Sequence, residues 1–349
     1  MAATAGGLAA HLVGSLPVDD AETAFRTLGG ALGAHLRCLP DGETGRRRRW
    51  ISFINDMLQA HPDLEIDPDV PVLEFRQWDG KLVYAVERLR VRAGVDAAGL
   101  AFATGYAEDA IRNHAVFARL GEEGAVPQGV RYQICMATPL AIAYNFISPN
   151  AYDDFLAPYT AHLRAELGRI ADALPHGEIA WQWDVCPEVL MWEGYYGLEE
   201  DQRGRILGSL GEIGDMVPET VDLGYHLCYG SPQDEHMVQP KDLGVCVEMA
   251  NGIAGSVSRA IRYIHMPVPR ERGDEAFFRP LQDLALEEGT ALYLGLVHEG
   301  DAEGNANKLA QARKFAAVAG IAAECGLGRG DPDSLPDMIE QHRLLAEAG

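Results

Sequence analysis

Along this chain, apolar runs of strand length alternate with amphipathic stretches of helical length. Short continuous apolar runs fit strands buried on both faces, and the longer segments between them repeat their apolar positions every three or four residues. Eight strands are predicted, at about Ala9–Gly14, His35–Pro40, Val130–Met136, Glu178–Asp184, Leu223–Tyr229, Arg262–Met266, Ala291–His298 and Ile321–Glu324. The intervening helices include Ala151–Ala173, Glu199–Met216, Asp242–Ala260, Glu275–Leu286 and Asn305–Val318. Strands separated by crossover helices pair in parallel, and eight such units predict one closed (β/α)8 TIM barrel of the α/β class spanning residues 1–349.

One interval breaks the rhythm. Between the second and third strands, VPVLEFRQWDGKLVYAVERLRV sets Asp79-Gly80 between two alternating runs, a strong short hairpin signal. A hairpin-containing insertion on the barrel, at approximately 51–128, is the expectation.

Composition narrows the partners. With 52 acidic against 29 basic residues the formal charge is −23, so phosphate backbones and anionic membrane surfaces are repelled, and nucleic acid is not an expected partner. Six cysteines scattered over 349 residues do not resemble a disulfide framework and point to reduced thiols in a cytoplasm. The apolar N-terminus lacks a basic region ahead of it and reads as the first strand, and no run is long enough to span a membrane. A small-molecule substrate is the expected partner, with the oligomeric state open.

A barrel of this kind carries its chemistry where the strands end. Those ends read Gly14-Ser15, Asp41-Gly42-Glu43, Thr138-Pro139, Trp183-Asp184, His226 and Cys228, His265, His298 and Cys325. In GYHLCYGS the imidazole and thiol are two positions apart, and on a strand such residues share a face. Cys325 opens CGLGRGDP, where glycines let the backbone turn sharply. Any one of these is ordinarily packing, but three imidazole or thiol groups converging suit zinc. A phosphate cradle from the same glycines lacks the accompanying Lys and Ser or Thr.

The series GS, GE, TP, a strand ending in Asp, HxCY, a strand ending in His, and ECGLGR resembles the catalytic C-terminal barrel of the cobalamin-independent methionine synthase family, across nearly the whole chain. The resemblance implies zinc on His226, Cys228 and Cys325. It implies an amino-acid substrate held by Ser15, Glu43 and Asp184, and His298 as a proton donor near the one-carbon group. Arg46, in the basic run of GETGRRRRW, matches a family arginine and is expected to bind a substrate carboxylate in bidentate fashion. A glutamate completes the metal shell in the family. Here the candidates are His265 and, as an alternative, Glu248. His265 is favoured, because a strand ending at Glu248 would leave no room for a crossover helix.

Trp192 and Tyr195 in WEGYY stand on the predicted catalytic face as a stacking surface for a flat ring. The expected activity is zinc-dependent methyl transfer in which zinc activates a thiol acceptor and a folate is the possible one-carbon donor, with His298 and Asp184 catalytic. The alternative is a zinc-dependent lyase or O-demethylase acting on a small aromatic compound in the same barrel.

Overall fold

The computed structural model describes residues 7–196, 200–232 and 235–349, apart from the side chains of residues 200 and 201. Among the described residues twelve strands are formed: β1 (Ala9–His11), β2 (Cys38–Pro40), β3 (Leu64–Ile66), β4 (Leu73–Arg76), β5 (Leu82–Val86), β6 (Leu89–Val91), β7 (Arg131–Ala137), β8 (Ile179–Val185), β9 (Asp222–Leu227), β10 (Tyr263–Pro267), β11 (Ala291–Gly295) and β12 (Gly320–Ala322). Eight of them pair in parallel in the order β1-β12-β11-β10-β9-β8-β7-β2. Bridges from Ala10 to Leu36 and from Ser15 to Gly42 bring the two ends together. The predicted barrel is the fold.

Its apolar runs follow from position. Every residue of β8 and β10 is buried, because a parallel barrel strand faces the packed interior on one side and the helical ring on the other. Several polar side chains inside the barrel bond one another. Gln182 Oε1 accepts from Tyr263 Oη (3.1 Å) and lies 3.0 Å from His11 Nε2, while Gln182 Nε2 donates to the Val13 carbonyl.

Local chemistry sets the helix boundaries. Asp301 Oδ1 accepts from Gly304 N, so the helix predicted from Asn305 starts earlier and runs Ala302–Ala312. The helix predicted over Glu275–Leu286 is a single turn, Glu275–Phe278, followed by a 3₁₀ stretch containing Pro280. Proline has no amide hydrogen to extend an α-helix. The residue at which the Glu199–Met216 helix was expected to begin lies outside the described residues; the helix is seen over Glu200–Met216.

The excursion between the second and third barrel strands is narrower than 51–128. Helix Tyr106–Glu122 packs on β7 and on helices Ala21–Leu32 and Tyr152–Ala173, so it belongs to the barrel's own ring. The added part holds helix Ser52–Gln59 and two small antiparallel sheets, β3 with β6 and β4 with β5. Asp79-Gly80 lies in the β4–β5 turn: Gly80 has φ 84° and Lys81 N donates to Asp79 Oδ1. The two strands slip by one residue between Phe75 and Arg76. This hairpin is latched to the barrel at two points. The Tyr195 hydroxyl both accepts from Arg76 N and donates to Arg76 O (2.7 Å each), and Gln77 Nε2 donates to the Pro232 carbonyl.

Candidate active site

A cavity of about 840 Å³ opens at the C-terminal ends of the strands. One wall is polar, with Ser15, Glu43, Asp184 and Arg329 around His226, Cys228 and Cys325. The apolar lining comes from Trp50, Phe75, Tyr84, Phe146 and Tyr196, among others. The inserted hairpin supplies Phe75 and Tyr84, so the excursion roofs the site.

The ligand atoms of His226, Cys228 and Cys325 all lie within 4.8 Å of one another, and the two sulfurs are 3.5 Å apart. Tetrahedral zinc with ~2.3 Å bonds separates two sulfurs by roughly 3.7 Å, so the observed spacing fits the ion with little movement. His226 Nε2 is a buried nitrogen with no hydrogen-bond partner. Such a group is costly unless something occupies the space it faces.

The tautomer of His226 can be deduced. His265 Nε2 is 3.2 Å from the Ala323 carbonyl, which can only accept, so this nitrogen carries the hydrogen. Burial, with His226 and His11 nearby, holds His265 well below the usual histidine pKa and therefore neutral. Its Nδ1 is then an acceptor. Because His226 Nδ1 stands 2.7 Å from it, His226 must donate there and turn the lone pair of Nε2 toward the two sulfurs. Strand register sets this up, for His265 pairs with His226 and Asp184 also pairs with His226. Gly295 makes room for the relay, since a Cβ there would sit 2.7 Å from His265 Nε2 and 2.8 Å from the Ala323 oxygen.

His265 thus stands behind His226 as its orienting partner, with both nitrogens engaged away from the metal group. This corrects its expected place as fourth ligand. Glu248 is not a ligand either. It lies on helix Gly244–Ser256, half exposed, bonded to Trp192 Nε1 (2.9 Å) and Arg203 (2.9 Å). Outer partners of metal-bound histidines typically govern affinity by about 10–100-fold. His265→Phe is expected to lower zinc affinity by that order with all three ligands retained, as read by competition with a chromophoric chelator.

Arg329, which sequence reasoning passed over, completes the group. Its Nη2 donates to Cys325 Sγ at 2.9 Å and its Nε to the Ser231 carbonyl at 2.7 Å. Burial opposes the guanidinium charge, but the Cys325 and Cys228 sulfurs outweigh it and raise its pKa. Without a metal, its hydrogen bond with Cys228, together with burial, pushes the Cys325 thiol up to about 12. Coordination is what would release its proton. The glycines after Cys325 serve packing: Cβ atoms at Gly326 and Gly328 would lie 2.3 Å from Ser15 Oγ and 2.8 Å from Ser15 Cβ. They let the backbone wrap Ser15, whose hydroxyl accepts from Gly328 N.

Glu43 and Asp184 form a buried pair. Burial pushes Asp184 up to about 8, helped by the Cys325 sulfur and opposed by hydrogen bonds from Gln182 and Trp50 and by Arg329. Glu43 rises well above the carboxylate range through burial and the Asp184 charge. Two carboxyl groups so placed do not both ionise near neutrality and can hold or move a proton. Both supports are strained: Glu43 has φ 46° and Trp50 φ 51°, values a side-chain-bearing residue rarely adopts. The intervening segment is pinned by the buried ion pair of Arg47 with Asp41, whose carboxylate also accepts from Asn113, Tyr132 and Glu43 N.

Other expected site residues lie elsewhere. Arg46 points away from the cavity, bonded to Asp109 (2.7 Å) and the Thr104 carbonyl and set over the Phe53 ring. Its fork is already filled. Trp192 packs under Arg203 and bonds Glu248, and Tyr195 is the hairpin latch; neither lines the cavity. Tyr196 and Trp50 stand where those rings were expected. His298 lines a separate cavity of about 160 Å³ behind Cys325. Its Nε2 meets the Val268 carbonyl at 3.0 Å and its Nδ1 lies 3.2 Å from Glu324 Oε1. Burial disfavours the imidazolium of His298. Glu324 also pairs with His236, whose pKa it raises against the cost of burial.

No protein-family model matches the sequence, and comparison with curated proteins gives no match. Solved structures do resemble the fold. A B12-independent methionine synthase from a Shewanella species, in complex with selenomethionine, superposes with a TM-score of 0.62 at 13% identity, covering 94% of this chain and 87% of that one. A putative vitamin-B12 independent methionine synthase from Listeria monocytogenes gives 0.58 at 13% identity over 94% and 87% of the two chains. A methyltransferase from Methanosarcina mazei gives 0.54 at 12% identity, over 99% of this chain and 94% of that one. At these identities the likeness is one of fold.

Proposed function

We propose that this barrel is a zinc-dependent methyltransferase in which the ion activates a thiol acceptor. One observation carries the reading: an unpartnered imidazole nitrogen and two sulfurs converge at the floor of a large cavity. Zinc held by His226, Cys228 and Cys325 would supply a Lewis acid that keeps a thiol, normally with a pKa near 8.5, as the nucleophilic thiolate. The chain's own groups then do the rest. Arg329 holds Cys325 and balances charge at the metal. Glu43, Asp184 and Ser15, which line the cavity, would hold an ammonium or hydroxyl of the acceptor, and the carboxyl pair would take up the proton that the thiol loses. Trp50, Phe75, Tyr84 and Tyr196 exclude water and present faces to a flat donor, a pterin ring among them. That such proteins as the methionine synthases share the fold supports the class of reaction.

The aromatic wall also favours a second reading, demethylation of a small aryl methyl ether. There the methyl group passes from the ether oxygen to the thiol, releasing a phenol and a thioether. One assay separates the two. Zinc-loaded protein is incubated with homocysteine or simple thiols and either a methyl folate or an aryl methyl ether, and products are followed by mass spectrometry. Thioether formation that needs both zinc and thiol is the expected result, and the productive donor selects the reading. Absence of methylated thiol with every pairing would remove both.

A further inference from the structure

Two arginines at the open end of the cavity lack a counter-charge. The chain carries 52 acidic residues against 29 basic ones, and Arg46 and Arg47 are both committed to carboxylates. Arg48 and Arg49 line the cavity instead, and among the described residues neither guanidinium has an ion pair or a hydrogen bond. Arg329, the third guanidinium of the lining, is already used by Cys325 Sγ and by the Ser231 and Gly326 carbonyls. His226 and Cys228 at the floor are 2% and 4% exposed, whereas Arg48 is half-buried and Arg49 exposed. The free pair therefore stands toward solvent.

Its place is fixed from behind. The buried pair of Arg47 with Asp41, and the bonds of Arg46 to Asp109 and the Thr104 carbonyl, hold the turn Gly45–Arg49. The chain then passes directly into Trp50, which belongs to the aromatic lining. Guanidinium and indole leave consecutive residues, with Cα atoms about 3.8 Å apart, so a ligand meeting both carries its charge close to its ring. Asn55, one turn into the following helix, also lines the cavity, and its buried Oδ1 has no hydrogen-bond partner. Its amide can turn an oxygen or an NH2 to a ligand.

Resting on the reading of this cavity as the substrate site, we infer that the substrate is an aromatic carboxylate, its ring against Trp50 and the neighbouring aromatic side chains and its carboxylate held by Arg48 and Arg49. Arginine suits the task, because its planar fork binds a carboxylate through two parallel hydrogen bonds and keeps its charge. One negative charge is favoured over two. Asp56 lines the cavity as well and the net charge is −23, so a phosphate dianion meets more repulsion than a carboxylate. Of the two donors considered above, this names the aryl methyl ether, as a methoxylated aromatic acid. The bond from methyl carbon to ether oxygen breaks, the bond to the thiol sulfur forms, and the phenol oxygen ends with the proton that the thiol gave up.

Binding of para-methoxybenzoate and of its neutral counterpart para-methoxybenzamide to the zinc-loaded full chain, measured by titration calorimetry, tests the inference beside the double variant Arg48→Gln, Arg49→Gln. Neither arginine has a polar partner to lose, so the variant should keep the wild-type Tm. The wild type is expected to bind the acid about 10- to 100-fold more tightly than the amide. That preference should shrink with added salt and vanish in the variant, whose affinity for the amide stays unchanged. Equal binding of acid and amide by the wild type, binding of neither, or a preference that the variant keeps because the carboxylate meets zinc or Arg329 instead, would overturn the inference. Each of these leaves the metal centre standing, since the zinc and thiol requirement of methyl transfer is read in a separate assay.

Discussion

Cys325→Ser is expected to strip the protein of zinc and to abolish thiol-dependent turnover. Sulfur is a far better zinc ligand than a hydroxyl oxygen that keeps its proton, so affinity should fall by more than the roughly 100-fold that an outer-shell partner can command. The variant loses a second contact as well, since Arg329 donates to the same sulfur at 2.9 Å. Charge-assisted hydrogen bonds of this kind are worth about 1.5–3 kcal/mol, and the melting temperature of the metal-free variant should drop accordingly. Cys38→Ser provides the contrast. Cys38 is more deeply buried and lies inside the barrel, where its thiol donates to Gln133 Oε1 at 2.8 Å. Metal content, measured by elemental analysis after purification without added zinc, should collapse in the first variant and hold in the second. Retention of zinc by Cys325→Ser would remove the metal centre.

Asp184→Asn is expected to raise stability while lowering activity, with a pH dependence that reveals the cause. The carboxyl group of Asp184 titrates at about 8 in the fold against an ordinary value of 3.8. A raised folded pKa means that the folded chain holds a proton the unfolded chain has released. The stabilisation it confers is complete below pH ~4 and is lost as pH climbs from there to about 8, at roughly 1.4 kcal/mol per unit. The whole span amounts to several kcal/mol, shared with Glu43 because the two charges interact. Asparagine cannot ionise, so the variant keeps only the fall in stability that Glu43 still contributes through this window, less about 1 kcal/mol for the mismatched donor facing Trp50. Denaturant midpoints of metal-free protein should therefore coincide near pH 4 and diverge toward pH 8, the variant standing higher. Catalysis that uses this carboxyl for proton transfer should fall by about 10²–10⁴. Parallel pH profiles for the two proteins would show that Asp184 carries no such shift.

The legibility of the site differs from residue to residue. His226, Cys228 and Cys325 were readable because they end strands, and in a parallel barrel the end of a strand is a place as well as a position. Ser15, Glu43 and Asp184 reach the cavity for the same reason. Arg46 was misplaced because the short helical turn that carries four arginines sends successive side chains in different directions: Arg47 goes into the core, Arg48 and Arg49 toward the cavity, Arg46 outward. Arg329 lay within the quoted ECGLGR stretch, and its spacing from Cys325 was the signal available for it. Trp50 offered none, since its strained backbone exists only because the segments on either side are pinned.

Sequence alone determined the eight strands, the hairpin, and the gathering of Ser15, Glu43, Asp184, His226, Cys228 and Cys325 where the strands end, because burial on two faces leaves a readable run of apolar residues. Tertiary structure alone decided which neighbour each gathered group would meet. Register set Asp184 beside His226 and His265 behind it, and packing turned Glu248, Trp192 and Tyr195 away from the cavity. Those outcomes depend on hydrogen bonds and close approaches between segments far apart in the chain, which no local pattern encodes.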